Sequence, residues 1–399
     1  MKRIVLCVIS IAWGMIAHAA EYGGEIGAEI AGQKLNNSSR FNPDNVGKLN
    51  TFGYRMTGDL WFRNSFNPDA NGFMKIRALY MPAAFRKEDE TGKMIVREIY
   101  IDLLGERWNA RIGKQYLKWG SGVFFNPADV INAVRDPLRP ADEAEGNPIA
   151  HLSIPIGSVA ACDLLGVVRE GEADHPSDVP GVFRMSASAG NFGLFGYVMA
   201  RKNRKPVYGY NLDFVSALTE DTDISLYAEG IIRRESDVKY VTRSGSVVGR
   251  KDGTYPGTTA GLRLNMKFPT LKRFDVWTLT IEYYHDNENW SRDEYRNMYR
   301  ALESDLSAGN IYPQFKGGRD YVYGNISVSN VVFNLVTVEG GAVINLGDRS
   351  GIALGSVSYQ YNDNTETGVR GEFYFGRDGS EFGNAIAGRV ITGFVKTSF

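Results

Sequence analysis

The chain has 399 residues, with 45 Lys and Arg against 46 Asp and Glu and a formal net charge of −1. So even a balance gives no electrostatic footing for nucleic acid as a partner. Beyond the first residues no stretch reaches the 18 or so consecutive apolar residues of a membrane-spanning helix, so any crossing would have to be made by strands.

The amino end reads as an export signal. Met1-Lys2-Arg3 is a positive start, Ile4 to Ile16 is uncharged and mostly apolar, and Ala17-His18-Ala19 is an A-x-A cleavage site. Residues 1–19 are therefore expected to be removed, and 20–399 to form the mature protein. Cleavage takes Cys7 and leaves Cys162, so no internal disulfide is available in an oxidising compartment.

From there the chain alternates with period two almost throughout. Phe52, Tyr54, Met56, Gly58, Leu60 and Phe62 share one face, and Arg55, Thr57, Asp59 and Arg63 share the other. Comparable alternation recurs at 208–214, 223–230, 260–268 and 277–283. The predicted strands lie near 22–32, 50–63, 72–83, 94–104, 107–117, 149–156, 159–169, 181–189, 192–201, 206–217, 222–233, 257–268, 274–285, 318–328, 331–345, 351–361, 368–377 and 387–399. Segments of about ten residues exceed the strand length usual in soluble domains. Tight connections (Thr219 to Thr222, Pro269 to Arg273, Ser329-Asn330) alternate with long ones (234–256, 286–318). The expected fold is all-β: an antiparallel, up-and-down transmembrane barrel of about 18 strands, with 16 as the alternative. The chain closes on Phe399, an aromatic end that resembles the recognition signal for outer-membrane assembly.

Residues 119–148 interrupt the pattern with Pro127, Pro137, Pro140 and Pro148. Asn126-Pro127 reads as a cap followed by proline at the first helical position, which predicts a short helix over 127–134. An irregular segment this long usually has a function. Its apolar residues Val123, Phe124, Phe125, Val130 and Ile131 need cover, so it is expected to fold into the barrel as a constriction or plug, its carboxylates facing wall arginines. A second helix is expected inside 286–318. Ser291-Arg292-Asp293-Glu294 is a capping box, and Tyr295, Met298, Tyr299 and Leu302 follow at helical spacing.

Charges on a strand face within a membrane must look into water. The expected lumen and constriction set is Arg55, Asp59, Arg63, Lys75, Arg77, Glu98, Asp102, Arg111, Gln115, Asp129, Arg135, Asp136, Arg139 and Arg263. The basic cluster on the early strands favours anionic or polyhydroxylated solutes. Glu229, Glu282, Asp213, Glu372, Lys267 and Arg370 also fall on inward faces. The histidines of the mature chain, His151, His175 and His285, show no metal-ligand spacing, and there is no G-x-S-x-G. Neither an enzyme nor a cofactor is expected.

Arg111-Ile112-Gly113-Lys114-Gln115-Tyr116-Leu117-Lys118-Trp119-Gly120 fits the pattern R-x-G-[KR]-Q-x-x-x-W-G. Asn126-Pro127-Ala128-Asp129-Val130-Ile131-Asn132 fits N-P-x-D-V-[IL]-N. Over residues 107–140 the chain resembles uncharacterised outer-membrane barrels of proteobacteria and the alginate-export type of channel. The resemblance implies a single-chain barrel that passes small or polymeric solutes without an energy source. The expectation is a porin-like channel in a Gram-negative outer membrane, with lipid, the assembly machinery and small polar solutes as its partners. The alternative is a closed barrel whose long loops contact other molecules.

Overall fold

The computed structural model describes residues 21–85, 91–132, 145–168, 178–250, 253–270, 273–303, 305, 311 and 317–399. The expected signal segment 1–19 lies outside them.

Period-two alternation is realised as strands. They are β1 (Glu21–Leu35), β2 (Phe52–Asn67), β3 (Ala70–Ala83), β4 (Thr91–Leu104), β5 (Asn109–Gln115), β6 (Asn147–Ile156), β7 (Ala160–Val167), β8 (Gly181–Ala189), β9 (Phe192–Ala200), β10 (Val207–Thr219), β11 (Thr222–Arg233), β12 (Lys239–Val241), β13 (Val247–Gly249), β14 (Tyr255–Thr270), β15 (Arg273–Asp286), β16 (Asp320–Asn330), β17 (Val336–Asn345), β18 (Ser350–Asn362), β19 (Thr365–Phe375) and β20 (Ala387–Ser398). β12 and β13 form a small separate hairpin, and the other strands make one 18-stranded antiparallel sheet. It closes on itself where β20 pairs with β1, from Glu25 opposite Ser398 to Lys34 opposite Arg389. Closure leaves no unpaired edge, the condition for strands to cross hydrocarbon.

The side-chain alternation sorts chemistry by face. Outward residues are large, apolar and exposed, among them Ile26, Ile30, Met56, Leu60, Ile112, Leu212 and Ile281. Aromatics gather at both rims, with Phe192, Phe268 and Phe399 near the tight turns and Phe52, Tyr208 and Phe375 near the long loops. A continuous apolar wall far exceeds the patches soluble monomers tolerate and has the form of a lipid-facing band between aromatic girdles. Inward residues carry the charges, and the register sets opposite signs side by side. Glu29 faces Arg55, Asp59 faces Arg77, Asp102 faces Arg111, and Asp163 faces Arg184.

The turns after β2, β4, β6, β8, β10, β14, β16 and β18 fall on one rim, together with Glu21 and Phe399, and the long loops fall on the other, which also carries the short 346–349 turn. Two details depart from the sequence reading. β17 begins at Val336 instead of 331, because 331–335 forms the turn, with positive φ at Val332, Phe333 and Asn334. The 234–256 loop contains the β12–β13 hairpin, whose three-residue strands were too short to be predicted.

The long loops pack into a roof. Helix α1 (Arg292–Ala301) has the expected capping box, Ser291 accepting from the Glu294 N–H while Glu294 accepts from the Ser291 N–H. Its buried face (Tyr295, Met298, Tyr299) meets Trp290 and Val241, so helix and hairpin share one apolar cluster. Arg250 pairs with Glu294 at 2.9 Å, and the Tyr299 hydroxyl donates to Asp378 at 2.5 Å in the 376–386 loop. Burial raises the Glu294 carboxyl, but the Arg250 and Ser291 hydrogen bonds outweigh it and hold it below the usual range. Glu381 is fully buried beneath this roof. It accepts from Tyr321 Oη and Asn345 Nδ2 at 2.6 Å and from the Gly317 N–H at 2.8 Å, yet burial still pushes its carboxyl up.

Candidate functional site

The segment after β5 does fold into the lumen, and two wall glutamates hold it there. Glu229 on β11 is fully buried; its carboxylate accepts the backbone N–H groups of Ser121 at 2.7 Å, Gly122 at 3.0 Å and Ala128 at 3.5 Å. Glu282 on β15 is equally buried. It accepts those of Val123 at 2.5 Å, Phe124 at 2.9 Å and Phe125 at 3.1 Å, together with the Tyr227 hydroxyl at 2.6 Å. An irregular loop inside a barrel has backbone donors with no ladder to join, and each one buried and unpaired costs about 1–3 kcal/mol. Two carboxylates supply acceptors for six of them. Asn211 on β10 adds its side-chain oxygen to the Ser121 N–H at 3.1 Å.

Backbone geometry makes this approach possible. Gly120 has φ +83°, and a Cβ there would collide with the Glu229 carboxylate. A Cβ at Gly122 would strike the Phe125 carbonyl oxygen. Glycine at both positions lets the main chain lie against the wall carboxylates.

Aromatic packing fixes the loop's course. Trp119 packs on Tyr197 at 5.1 Å and Phe195 at 6.2 Å between ring centroids, with the Arg184 guanidinium 5.1 Å from its ring. Phe124 stacks on Tyr323 at 4.4 Å, and Phe125 on Tyr284 at 4.6 Å. The Tyr197 hydroxyl donates to the Ala128 carbonyl at 2.9 Å. The loop therefore runs along the inner wall from β8 and β9 to β15 and β16. Two asparagines tie its return: Asn132 Nδ2 donates to the Leu117 carbonyl at 2.6 Å, and Asn147 Nδ2 to that of Ile131 at 2.8 Å.

The helix expected over 127–134 is not formed in its described part. Residues 127–132 are turns and bends. Asn126 Oδ1 does accept the Asp129 N–H at 3.0 Å, as a cap would. The Ala128 N–H, however, is drawn to Glu229. The expected pairing of loop carboxylates with wall arginines is reversed among the described residues. Asp129 bonds Asn132 within the loop at 2.9 Å, Glu145 pairs with Lys114, and the wall supplies the carboxylates. Arg135, Asp136 and Arg139 lie outside the described residues.

The remaining expected site residues line the strands away from the loop and are mostly neutralised there. Arg55 bonds Glu29 at 2.7 Å, and Arg370 reaches the same carboxylate at 3.1 Å. Arg77 grips Asp59 through two bonds of 2.7 and 2.5 Å, and Arg97 adds a third at 3.4 Å. Arg111 grips Asp102 at 2.5 and 3.0 Å and lies 4.0 Å above the Tyr100 ring. Arg63 is exposed and 3.4 Å from Glu21. Lys75 is opposite Glu98, whose carboxylate also accepts the Tyr116 N–H at 3.2 Å. Gln115 is buried at the loop's base and donates to the Ile149 carbonyl at 3.2 Å. Arg263, half-buried on β14, differs: its side chain makes neither an ion pair nor a hydrogen bond with another described residue. Sequence reasoning placed Glu229 and Glu282 on inward faces but gave them no role, since their partners lie more than 100 residues away.

No metal-binding group of histidine, cysteine and carboxylate side chains occurs among the described residues. His285 bonds Asp320 at 2.7 Å and Asn287 at 3.1 Å.

No family model matches the sequence, and no curated protein does. Solved structures match over nearly the whole chain. OccAB1 of Acinetobacter baumannii superposes with a TM-score of 0.60 at 10% identity, covering 96% of this chain and 97% of that one. OccK2 (OpdF) of Pseudomonas aeruginosa, solved in complex with glucuronate, gives 0.58 at 10% identity, with 96% and 99% covered. A BenF-like porin of Pseudomonas fluorescens gives 0.58 at 9% identity, with 95% and 98% covered. The chain thus has the fold of outer-membrane porins.

Proposed function

We propose that the protein resides in a bacterial outer membrane as a passive channel for small polar solutes bearing a single negative charge. The carrying observation is the division of the lumen. The inward loop is fastened to the β8–β16 wall at Glu229 and Glu282, which leaves the strands around the β20–β1 seam, with their water-reachable charges, and the stretch of β14 toward the tight turns that carries Arg263, to border a solute path. The apolar outward wall supports the membrane location, and the porin fold supports the channel.

The charge preference rests on Arg263. Arg55, Arg77 and Arg111 already have carboxylate partners, so the early basic cluster offers a solute little net attraction. An unpaired guanidinium on the wall can take a carboxylate through two parallel hydrogen bonds. OccK2 was crystallised with a carboxylated sugar, glucuronate; a solute of that size suits one arginine. A polyuronate of the alginate type would call for a row of free arginines, and the described inward strand faces offer Arg263 in place of such a row. The export signal 1–19 and assembly through the terminal strand belong to the same reading. In support, Phe399 is exposed and exchanges backbone hydrogen bonds with Gly24 at 3.0 Å.

Planar bilayers test this. The folded mature protein is expected to conduct, with current blocked by millimolar glucuronate and the block lost in Arg263→Ala. A folded barrel that passes no current at any voltage overturns the channel. Block unchanged in Arg263→Ala overturns the solute assignment alone.

A further inference from the structure

The outer surface of the β20–β1 seam holds a feature that the lumen does not use. Lys34 on β1 and Arg389 on β20 are direct cross-strand partners at the long-loop rim. Both are exposed, and neither side chain pairs with another described residue. Like charges directly opposite on neighbouring strands repel, so an anion held between them would relieve the repulsion. Both positions continue the outward faces of their strands, Ile26, Ile30 and Gly32 on β1 and Val395, Gly393 and Ile391 on β20. They therefore stand where the lipid-facing band gives way to the rim.

Beneath them the wall is notched. Gly32 is opposite Ile391, and Gly393 is opposite Ile30. A Cβ on Gly32 would meet nothing nearer than a carbonyl oxygen at 3.9 Å, and one on Gly393 would meet nothing within 4 Å. The two glycines leave a shallow apolar groove bordered by Ile30, Ile391 and, on β19, Phe373, which is opposite Arg389. Above, a recess of about 480 Å³ at the rim includes both cations. Asp378 also lines it, but its carboxylate already accepts the Tyr299 hydroxyl.

We propose that this seam binds one phosphorylated membrane lipid, its phosphate bridging Lys34 and Arg389 and an acyl chain lying in the Gly32–Gly393 groove. Two cations above an apolar channel match the two parts of such a lipid, as basic pockets beside membrane-spanning segments hold lipid head groups elsewhere. Charge-assisted bonds to phosphate are the strong ones. Free phosphate would use the cations but not the groove.

Native mass spectrometry of the detergent-solubilised full barrel tests it with three probes: a bisphosphorylated, acylated glucosamine disaccharide lipid, the same lipid without phosphates, and inorganic phosphate. The phosphorylated lipid is expected to stay bound at one per barrel. Its affinity is expected to fall about tenfold in Lys34→Ala and further in the Lys34→Ala/Arg389→Ala pair. Gly32→Leu, which fills the groove, is expected to weaken lipid binding with both cations present. Resistance of the folded band to SDS confirms that each variant is a closed barrel. Equal retention of the dephosphorylated lipid, unchanged retention in the double variant, or competition by inorganic phosphate alone with no effect of Gly32→Leu overturns the proposal. Conductance is a separate readout, so this site and the channel fail independently.

Discussion

The two halves of the lumen wall use charge in opposite ways. Around the β20–β1 seam and on β2 to β5, carboxylates meet guanidinium groups across adjacent strands, as Glu29 meets Arg55 and Asp59 meets Arg77. These pairs keep water-facing charges balanced and bind wall to wall. On β11 and β15 the carboxylates Glu229 and Glu282 meet backbone N–H groups instead, and bind wall to loop. Partners that sit side by side in register make a stiff cylinder; partners reached through a folded-in segment make a passage narrower than the cylinder. The contrast is between acids neutralised by cations and acids whose loop partners carry no formal charge.

The largest effect that could break this contrast is expected from Glu229→Ala/Glu282→Ala. Five loop N–H groups would lose their acceptors, at about 1–3 kcal/mol each if left buried, and Ser121 would keep only Asn211. The loop is expected to leave the wall, raising single-channel conductance severalfold while the barrel keeps its heat-modifiable mobility on gels. Unchanged conductance would mean that the loop does not set the width. Phe125→Ala comes next. It empties a fully buried site stacked on Tyr284, at about 3–5 kcal/mol, and is expected to appear as noisy, flickering current at nearly normal mean conductance. On the other half, Arg77→Ala removes the two-bond grip on Asp59 and leaves Arg97 at 3.4 Å. The expected result is a reversal potential shifted toward cation preference with unchanged loop protection in hydrogen exchange.

The smallest effect concerns the roof. The Glu294 carboxyl is held below its ordinary value near 4.5, so its contribution is complete above that pH and is lost as pH falls below it. Buried Glu381 is raised, so it works in the reverse sense: its contribution is present at acid pH and lost as pH rises through its elevated value. Amide protection factors in α1, taken relative to intrinsic exchange, should therefore fall below about pH 4.5 in the wild type, and this acid response should vanish in Glu294→Gln. An identical acid response in the variant would remove Glu294 from the account.

The wall was legible in the sequence because a strand's periodicity is local: Phe52 to Phe62 declares both faces within eleven residues. The hairpin of β6 and β7 was predicted from its flanks and from the need to keep long loops on one rim, and both strands are present. The helix α1 was legible for the same reason, its capping box and apolar stripe falling within twelve residues. The clamp was not. Ser121 and Glu229, or Phe125 and Glu282, lie far apart in the chain, and no periodicity marks an acid that will meet a loop's main chain. Asn126-Pro127 misled for a related reason. Its local capping preference is partly honoured, but the next donors are taken by a distant glutamate. The basic cluster Arg55, Arg63, Lys75, Arg77 and Arg111 was read residue by residue as attraction for anions; pairing across strands cancels most of it.

The main-chain clamp also bears on how such a barrel can change over generations. From the loop, Glu229 and Glu282 take peptide N–H groups, which every residue but proline presents. Exposed loop positions such as Lys118 and Val123 are thus free to drift in size and charge while the fastening stays intact. A lineage carrying these two acids and the Gly120/Gly122 pair could exchange one cargo for another by point substitutions on a fixed mount.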